Sequence, residues 1–223
     1  MVRVKICGIT TPDDAVAAAD AGADAVGINL VGGPRRVDLD TAAAILAALP
    51  PFCTPVALVD VERDNLASDV LELLGRAWVA CVQLYGAVTP GAVARMREDG
   101  LLPLLVHHVV PDRFPDELER ALAAMHTCQP AAIVLDAFDP QRLGGTGQPL
   151  NWKELADMRA EGRFAAWPPV VLAGGLTPDN VADAVRTVQP WGVDVSSGVE
   201  SSVGRKDPAR MKAFVAAARG ASS

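Results

Sequence analysis

Short apolar runs alternate with alanine-rich segments of helical length along the whole chain, and this alternation restricts the available folds more than any other feature. The runs predict strands over residues 2–7, 25–30, 55–60, 79–84, 102–107, 131–136, 170–173 and 193–196. Helix starts stand between them at Thr11-Pro12, Thr89-Pro90, Asn151, Thr177-Pro178 and Asp207-Pro208. Each offers an N-cap side chain, and several add proline at the first helical position, where its missing N–H costs nothing. Gly22, Gly75 and Gly100 stand where helices should stop. Strands joined by helices run parallel, and eight such units favour closure. The fold expected is α/β, a single (β/α)8 TIM barrel occupying residues 1–223 as one domain. An open doubly wound sheet is the alternative, but no G-x-G-x-x-G follows the first strand.

Composition narrows the partners. With 223 residues, half of them hydrophobic, the chain can bury one sizeable core. A net charge of −7 argues against nucleic acid or an anionic membrane as partner. The cysteines Cys7, Cys53, Cys81 and Cys128 lie far apart, and neither C-x-x-C nor H-E-x-x-H occurs, so neither zinc nor a disulfide framework is expected. No apolar run reaches the length of a membrane span, and Asp13 and Asp14 arrive too early for a signal peptide. These features together predict a reducing, cytoplasmic setting.

In such a barrel, reactive groups belong at the C-terminal ends of the strands. In the first strand Val2, Val4 and Ile6 must face the helices, which turns Arg3, Lys5 and Cys7 inward. Cys7 then tops the strand. Its position suits a reactive thiol, with Lys5 expected to lower its pKa, and equally a buried small hydrophobe. Asp136 ends the run "AAIVLDAF" with no helix start directly after it, which favours a catalytic acid over a cap. Asp194 faces inward between Val193 and Val195, where it either binds substrate hydroxyls or pairs with Lys5.

Three glycine-rich stretches follow, "GGTG" at 144–147, "AGGL" at 173–176 and "SSGVE" at 196–200. Glycines let backbone amides approach an anion, and the loops after strands seven and eight are the usual phosphate site of this fold. Arg35 and Arg36 follow Gly32-Gly33-Pro34 in the loop after strand two, where an arginine can hold a carboxylate bidentately.

The motifs "KICGIT", "GADAVGI", "VQLYG", "LDAF…GGTG", "LAGGL", "PDNV" and "VDVSSGVE" run in order nearly end to end. Together they resemble the phosphoribosylanthranilate isomerases of tryptophan biosynthesis. The resemblance implies a cofactor-free (β/α)8 barrel, without metal, acting on a small sugar-phosphate substrate as monomer or homodimer. It makes Cys7 the general base, Asp136 the general acid and Arg35 the contact to the anthranilate carboxylate. Gly145, Gly174, Gly175, Ser197 and Gly198 fall in its phosphate loops, and Asp194 in its last signature. Three positions depart from the family pattern. "LVGGPRR" lacks the Ser-x-Arg after strand two, "QLYG" replaces "QLHG", and His107 stands where a lysine can occur. A sugar-phosphate isomerase of histidine biosynthesis would show an Asp/Asp pair, and a non-catalytic binding barrel would not need both Cys7 and Asp136.

Overall fold

The computed structural model describes residues 1–109, 116, 118–120, 123, 127–137 and 150–221, except for the side chain of residue 166. Eight parallel strands close into a barrel in sequence order. They are β1 (Arg3–Cys7), β2 (Ala25–Asn29), β3 (Thr54–Val61), β4 (Cys81–Gly86), β5 (Leu102–Val109), β6 (Ala132–Ala137), β7 (Val170–Ala173) and β8 (Gly192–Val195). A short antiparallel hairpin, β9 (Glu200–Ser202) with β10 (Arg205–Lys206), extends the loop after β8.

Seven α-helices lie wholly within the described residues. They are α1 (Pro12–Asp20), α2 (Leu39–Ala48), α3 (Ser68–Arg76), α4 (Pro90–Glu98), α5 (Trp152–Ala160), α6 (Val181–Val188) and α7 (Pro208–Gly220). The described residues between 116 and 128 are helical as well. No helix among the described residues is long and apolar enough to cross a membrane.

Local chemistry sets most boundaries. Thr11, Thr89, Asn151 and Asp207 each accept a backbone N–H of the first turn of the helix they open, satisfying donors that the helix cannot. Helix α1 stops at Gly22, whose N–H reaches the Ala19 carbonyl while that of Ala23 reaches Ala18, and Gly100 ends α4 in the same way. The expected stop at Gly75 is corrected. Helix α3 runs through Gly75 to Arg76, and Trp78 takes the left-handed position at φ 55°. Its N–H and that of Val79 close onto Gly75 and Leu74, so β4 starts at Cys81 instead of residue 79.

The start at Thr177-Pro178 is corrected too. There the Thr177 N–H donates to Asn180 Oδ1 at 2.8 Å and the Asn180 side-chain amide to the Gly175 carbonyl at 2.9 Å. This turn delays α6 to Val181.

Alternation in the strands sorts the core into two shells. Val4, Ile6, Val26, Ile28, Leu135, Leu172 and Val193 pack outward against the helices, each buried aliphatic contributing about 1.5–3 kcal/mol. Val134, Val171 and Ala173, with Leu104 and Val106, fill the inside. Arg3 sits at the barrel floor, where its guanidinium lies 3.6 Å from the Asp24 carboxylate.

Candidate active site

Lys5 and Asp194 form a buried ion pair inside the barrel, Nζ to Oδ2 2.8 Å, with only 7% of each side chain exposed. The two residues are register partners on β1 and β8. Burial lowers the Lys5 pKa, but the Asp194 carboxylate, helped by the charges of Cys7 and Tyr85, outweighs it and holds the lysine above its ordinary value. Of the two readings left open for Asp194, pairing with Lys5 is present. Its second oxygen, Oδ1, is buried and has no hydrogen-bond partner among the described residues.

Cys7 stands above Lys5 at the end of β1 and keeps part of its surface exposed. Its pKa is raised, because burial outweighs the opposing pull of Lys5 and Lys206. The expected lowering by Lys5 is therefore corrected. The lysine acts in that direction, but it does not prevail over desolvation.

Asp136 lies near the end of β6, facing the mouth. Burial, reinforced by Asp194 and opposed by Lys5, pushes its carboxyl up to about 6. On the neighbouring strand its register partner is His108, with Nδ1 3.9 Å from Asp136 Oδ2. Burial lowers the His108 pKa, so the imidazole is neutral at neutral pH. Leu104 and Val106 point inward and Leu105 outward, which places His108 at the mouth and turns His107 the other way. The His108 ring lies 6.3 Å from that of Tyr85, whose hydroxyl accepts from Gln83 Nε2 at 3.0 Å. Burial raises the Tyr85 pKa, and the charges of Cys7 and Asp136 act in the same direction.

Arg35 crosses the mouth from the loop after β2. Its Cδ lies 2.5 Å from where a Cβ on Gly8 would stand, directly after Cys7. Nε and Nη2 donate to the two carboxylate oxygens of Glu200 at 2.7 and 2.8 Å. Arg36 is exposed and donates instead to the Leu30 carbonyl at 3.2 Å.

Gly174 and Gly175 both take positive φ in the turn after β7. A Cβ on Gly174 would stand 2.4 Å from the Ala137 nitrogen, so glycine is required there on both counts. Neither glycine amide donates to another described residue. Gly198 brings the loop after β8 against that turn, since a Cβ on it would meet the Leu176 carbonyl oxygen at 2.0 Å. Ser197 precedes it in the same short 3-10 turn. Gly145 lies outside the described residues.

The family model described as N-(5'-phosphoribosyl)anthranilate (PRA) isomerase matches residues 4–217. The chain belongs to this family. It is thus an enzyme, an isomerase. A phosphoribosylanthranilate isomerase from Chlorobaculum parvum is 41% identical over 220 residues, which cover 98% of this chain and 96% of the relative. The solved structure from Thermotoga maritima superposes with TM-score 0.83 at 34% identity, covering 99% of this chain and all of that one. Another solved structure is that of a phosphoribosyl anthranilate isomerase in complex with reduced 1-(o-carboxyphenylamino)-1-deoxyribulose 5-phosphate. It superposes with TM-score 0.80 at 32% identity and covers 99% of this chain and all of that one.

In this phosphoribosylanthranilate isomerase, four groups at the mouth escaped the sequence reading. Tyr85 and His108 carry the signal of strand parity, which the early ends assigned to strands four and five, at residues 84 and 107, concealed. Glu200 sits inside the quoted "SSGVE" but reads there as a loop residue. Lys206 carries no local signal, because its burial depends on a partner hairpin strand.

Proposed function

We propose that Cys7 is the general base and Asp136 the general acid in the isomerisation of N-(5'-phosphoribosyl)anthranilate. The product is 1-(2-carboxyphenylamino)-1-deoxyribulose 5-phosphate, the ketose of an Amadori rearrangement in tryptophan biosynthesis. Opening the furanose needs a proton on the ring oxygen, and a carboxyl with a pKa of about 6 is poised to give one. The Schiff base so formed acidifies the C2′ hydrogen. The Cys7 thiolate removes it, leaving an enolamine that tautomerises to the ketone. A thiolate with a raised pKa is scarce but strongly basic.

The observation that carries the assignment is the raised pKa of Asp136, on a strand three places from β1 around the closed barrel. The substrate ends have matching ground. Arg35 takes the anthranilate carboxylate. The amides around Gly174, Gly175, Ser197 and Gly198 take the phosphate, with Gly145 assigned to the same cradle by family resemblance. Asp194 Oδ1 accepts from a ribose hydroxyl. The acidic chain with its dispersed cysteines is read as a cytoplasmic single-domain enzyme, monomer or homodimer, with no nucleic acid or membrane partner.

The test is Cys7→Ser and Asp136→Asn. Each should lower kcat by about 10²–10⁴-fold, the usual worth of one acid or base. Affinity for the reduced product analogue should stay close to that of the parent enzyme. A variant that keeps most of its kcat would remove that residue from the mechanism.

A further inference from the structure

Lys206 belongs to a hairpin outside the barrel, yet its side chain has no exposed surface. A buried ammonium is costly unless every charge and donor is met. Its Nζ donates to Glu200 Oε1 at 2.9 Å and to the Ser196 carbonyl at 3.1 Å. Glu200, itself buried, accepts from Arg35 through both oxygens. Burial would raise the Glu200 pKa, but the Arg35 and Lys206 hydrogen bonds outweigh it and keep the carboxylate charged. One connected chain therefore runs Arg35, Glu200, Lys206, Ser196, and the residues after Ser196 are the phosphate-loop positions Ser197 and Gly198.

A guanidinium has two fork edges. Glu200 occupies the Nε–Nη2 edge of Arg35, which leaves the Nη1–Nη2 end for a second planar anion. We propose that Glu200 and Lys206 are positioning residues. Glu200 grips Arg35 by one edge so that the other is presented to the anthranilate carboxylate, and Lys206 fastens this clamp to the phosphate loop. The proposal rests on the assignment of Arg35 to the carboxylate and of the loop after β8 to the phosphate. It adds that both ends of the substrate are measured by one hydrogen-bonded unit. Glutamine at position 200 cannot replace the carboxylate, because it offers one oxygen to two Arg35 donors and leaves the half-buried Arg35 and the buried Lys206 without a counter-charge.

The test measures two ligands by calorimetric titration: the reduced product analogue, which carries carboxylate and phosphate, and inorganic phosphate alone. Glu200→Gln should weaken the analogue at least about tenfold, as expected for lost charge-assisted bonds, and leave phosphate within about threefold. Its KM for phosphoribosylanthranilate should rise in step while kcat changes little. Added to Arg35→Ala, Glu200→Gln should cost less than about a further twofold, because it acts through the arginine. Lys206→Met should weaken both ligands.

Equal loss of both ligands in Glu200→Gln, or an undiminished loss in the Arg35→Ala background, overturns the positioning role. If Arg35→Ala weakens the analogue and Glu200→Gln does not, the clamp fails while the carboxylate assignment stands. If Arg35→Ala itself has no effect on the analogue, that assignment fails and the clamp with it. Should Glu200→Gln not fold, Glu200→Asp carries the same comparison, since it keeps the charge but is too short to reach both donors.

Discussion

A Cβ on Gly27 would stand 2.7 Å from Cys7 Sγ and 3.2 Å from Lys5 Nζ. Gly27 and Cys7 are register partners on β2 and β1, so the bare backbone of one strand makes room for the thiol of the next. Glycine inside a strand weakens it, and here the space it leaves is where the proposed base sits. Gly27→Ala should drive the thiol and the ammonium out of their places. A displacement of about 1 Å can cost about 10²-fold in rate, so kcat should fall by one to two orders of magnitude. Steady-state kinetics beside a thermal melt would check this. A folded variant with unchanged kcat would mean the thiol does not need that position.

The pH profile follows from the two perturbed groups. The proposed acid must be protonated and the proposed base ionised, yet Asp136 titrates near 6 and Cys7 above its ordinary 9.0. The active form is then a minor one, on the order of 10⁻³ of the enzyme or less, and constant between the two pKa values. kcat/KM should rise about tenfold per pH unit up to about 6, stay level beyond pH 9, and then fall. A profile that instead declines from pH 6 upward would show that activity tracks protonated Asp136 alone, and Cys7 would lose its role.

Asp136 also ties stability to pH. Its folded value of about 6 exceeds its ordinary 3.8, so between these limits the native state binds more protons than the unfolded chain. Stability from this group is complete below 3.8 and is lost as pH rises through about 6. The side chain is 33% exposed, and after discounting for solvent the cost above pH 6 is about 1–2 kcal/mol. Asp136→Asn should therefore melt a few degrees higher than the parent at pH 8 and at the same temperature at pH 4. An equal gain at both would implicate packing in place of charge.

A phosphate held by backbone amides, as proposed, should be insensitive to the loss of a single neighbouring hydroxyl. Ser197→Ala is expected to change the inhibition constant of inorganic phosphate by no more than about threefold, the worth of one exposed hydrogen bond. Gly174→Ala should raise it far more, because a Cβ there meets the Ala137 backbone and the φ of +83° strains any other residue. Competitive inhibition assays on both variants would check the contrast. A larger effect from Ser197→Ala would make the hydroxyl the principal contact.

The sequence by itself determined the eight-strand order and which side chains point into the barrel. Lys5, Cys7, Asp136 and Asp194 were all placed by counting alternate residues, because the two-residue period belongs to each strand alone. Helix starts at Thr11, Thr89, Asn151 and Asp207 were legible for the same local reason, each cap reaching only the turn beside it. Tertiary structure decided what those side chains experience. The Cys7 thiol is raised because distant strands close over it, and no neighbour in sequence reports that desolvation. Arg35 and Glu200, 165 positions apart, meet only because the barrel brings the loops after β2 and β8 together. Direction along a strand is a local property of the chain, whereas burial and ion pairing are properties of the closed barrel.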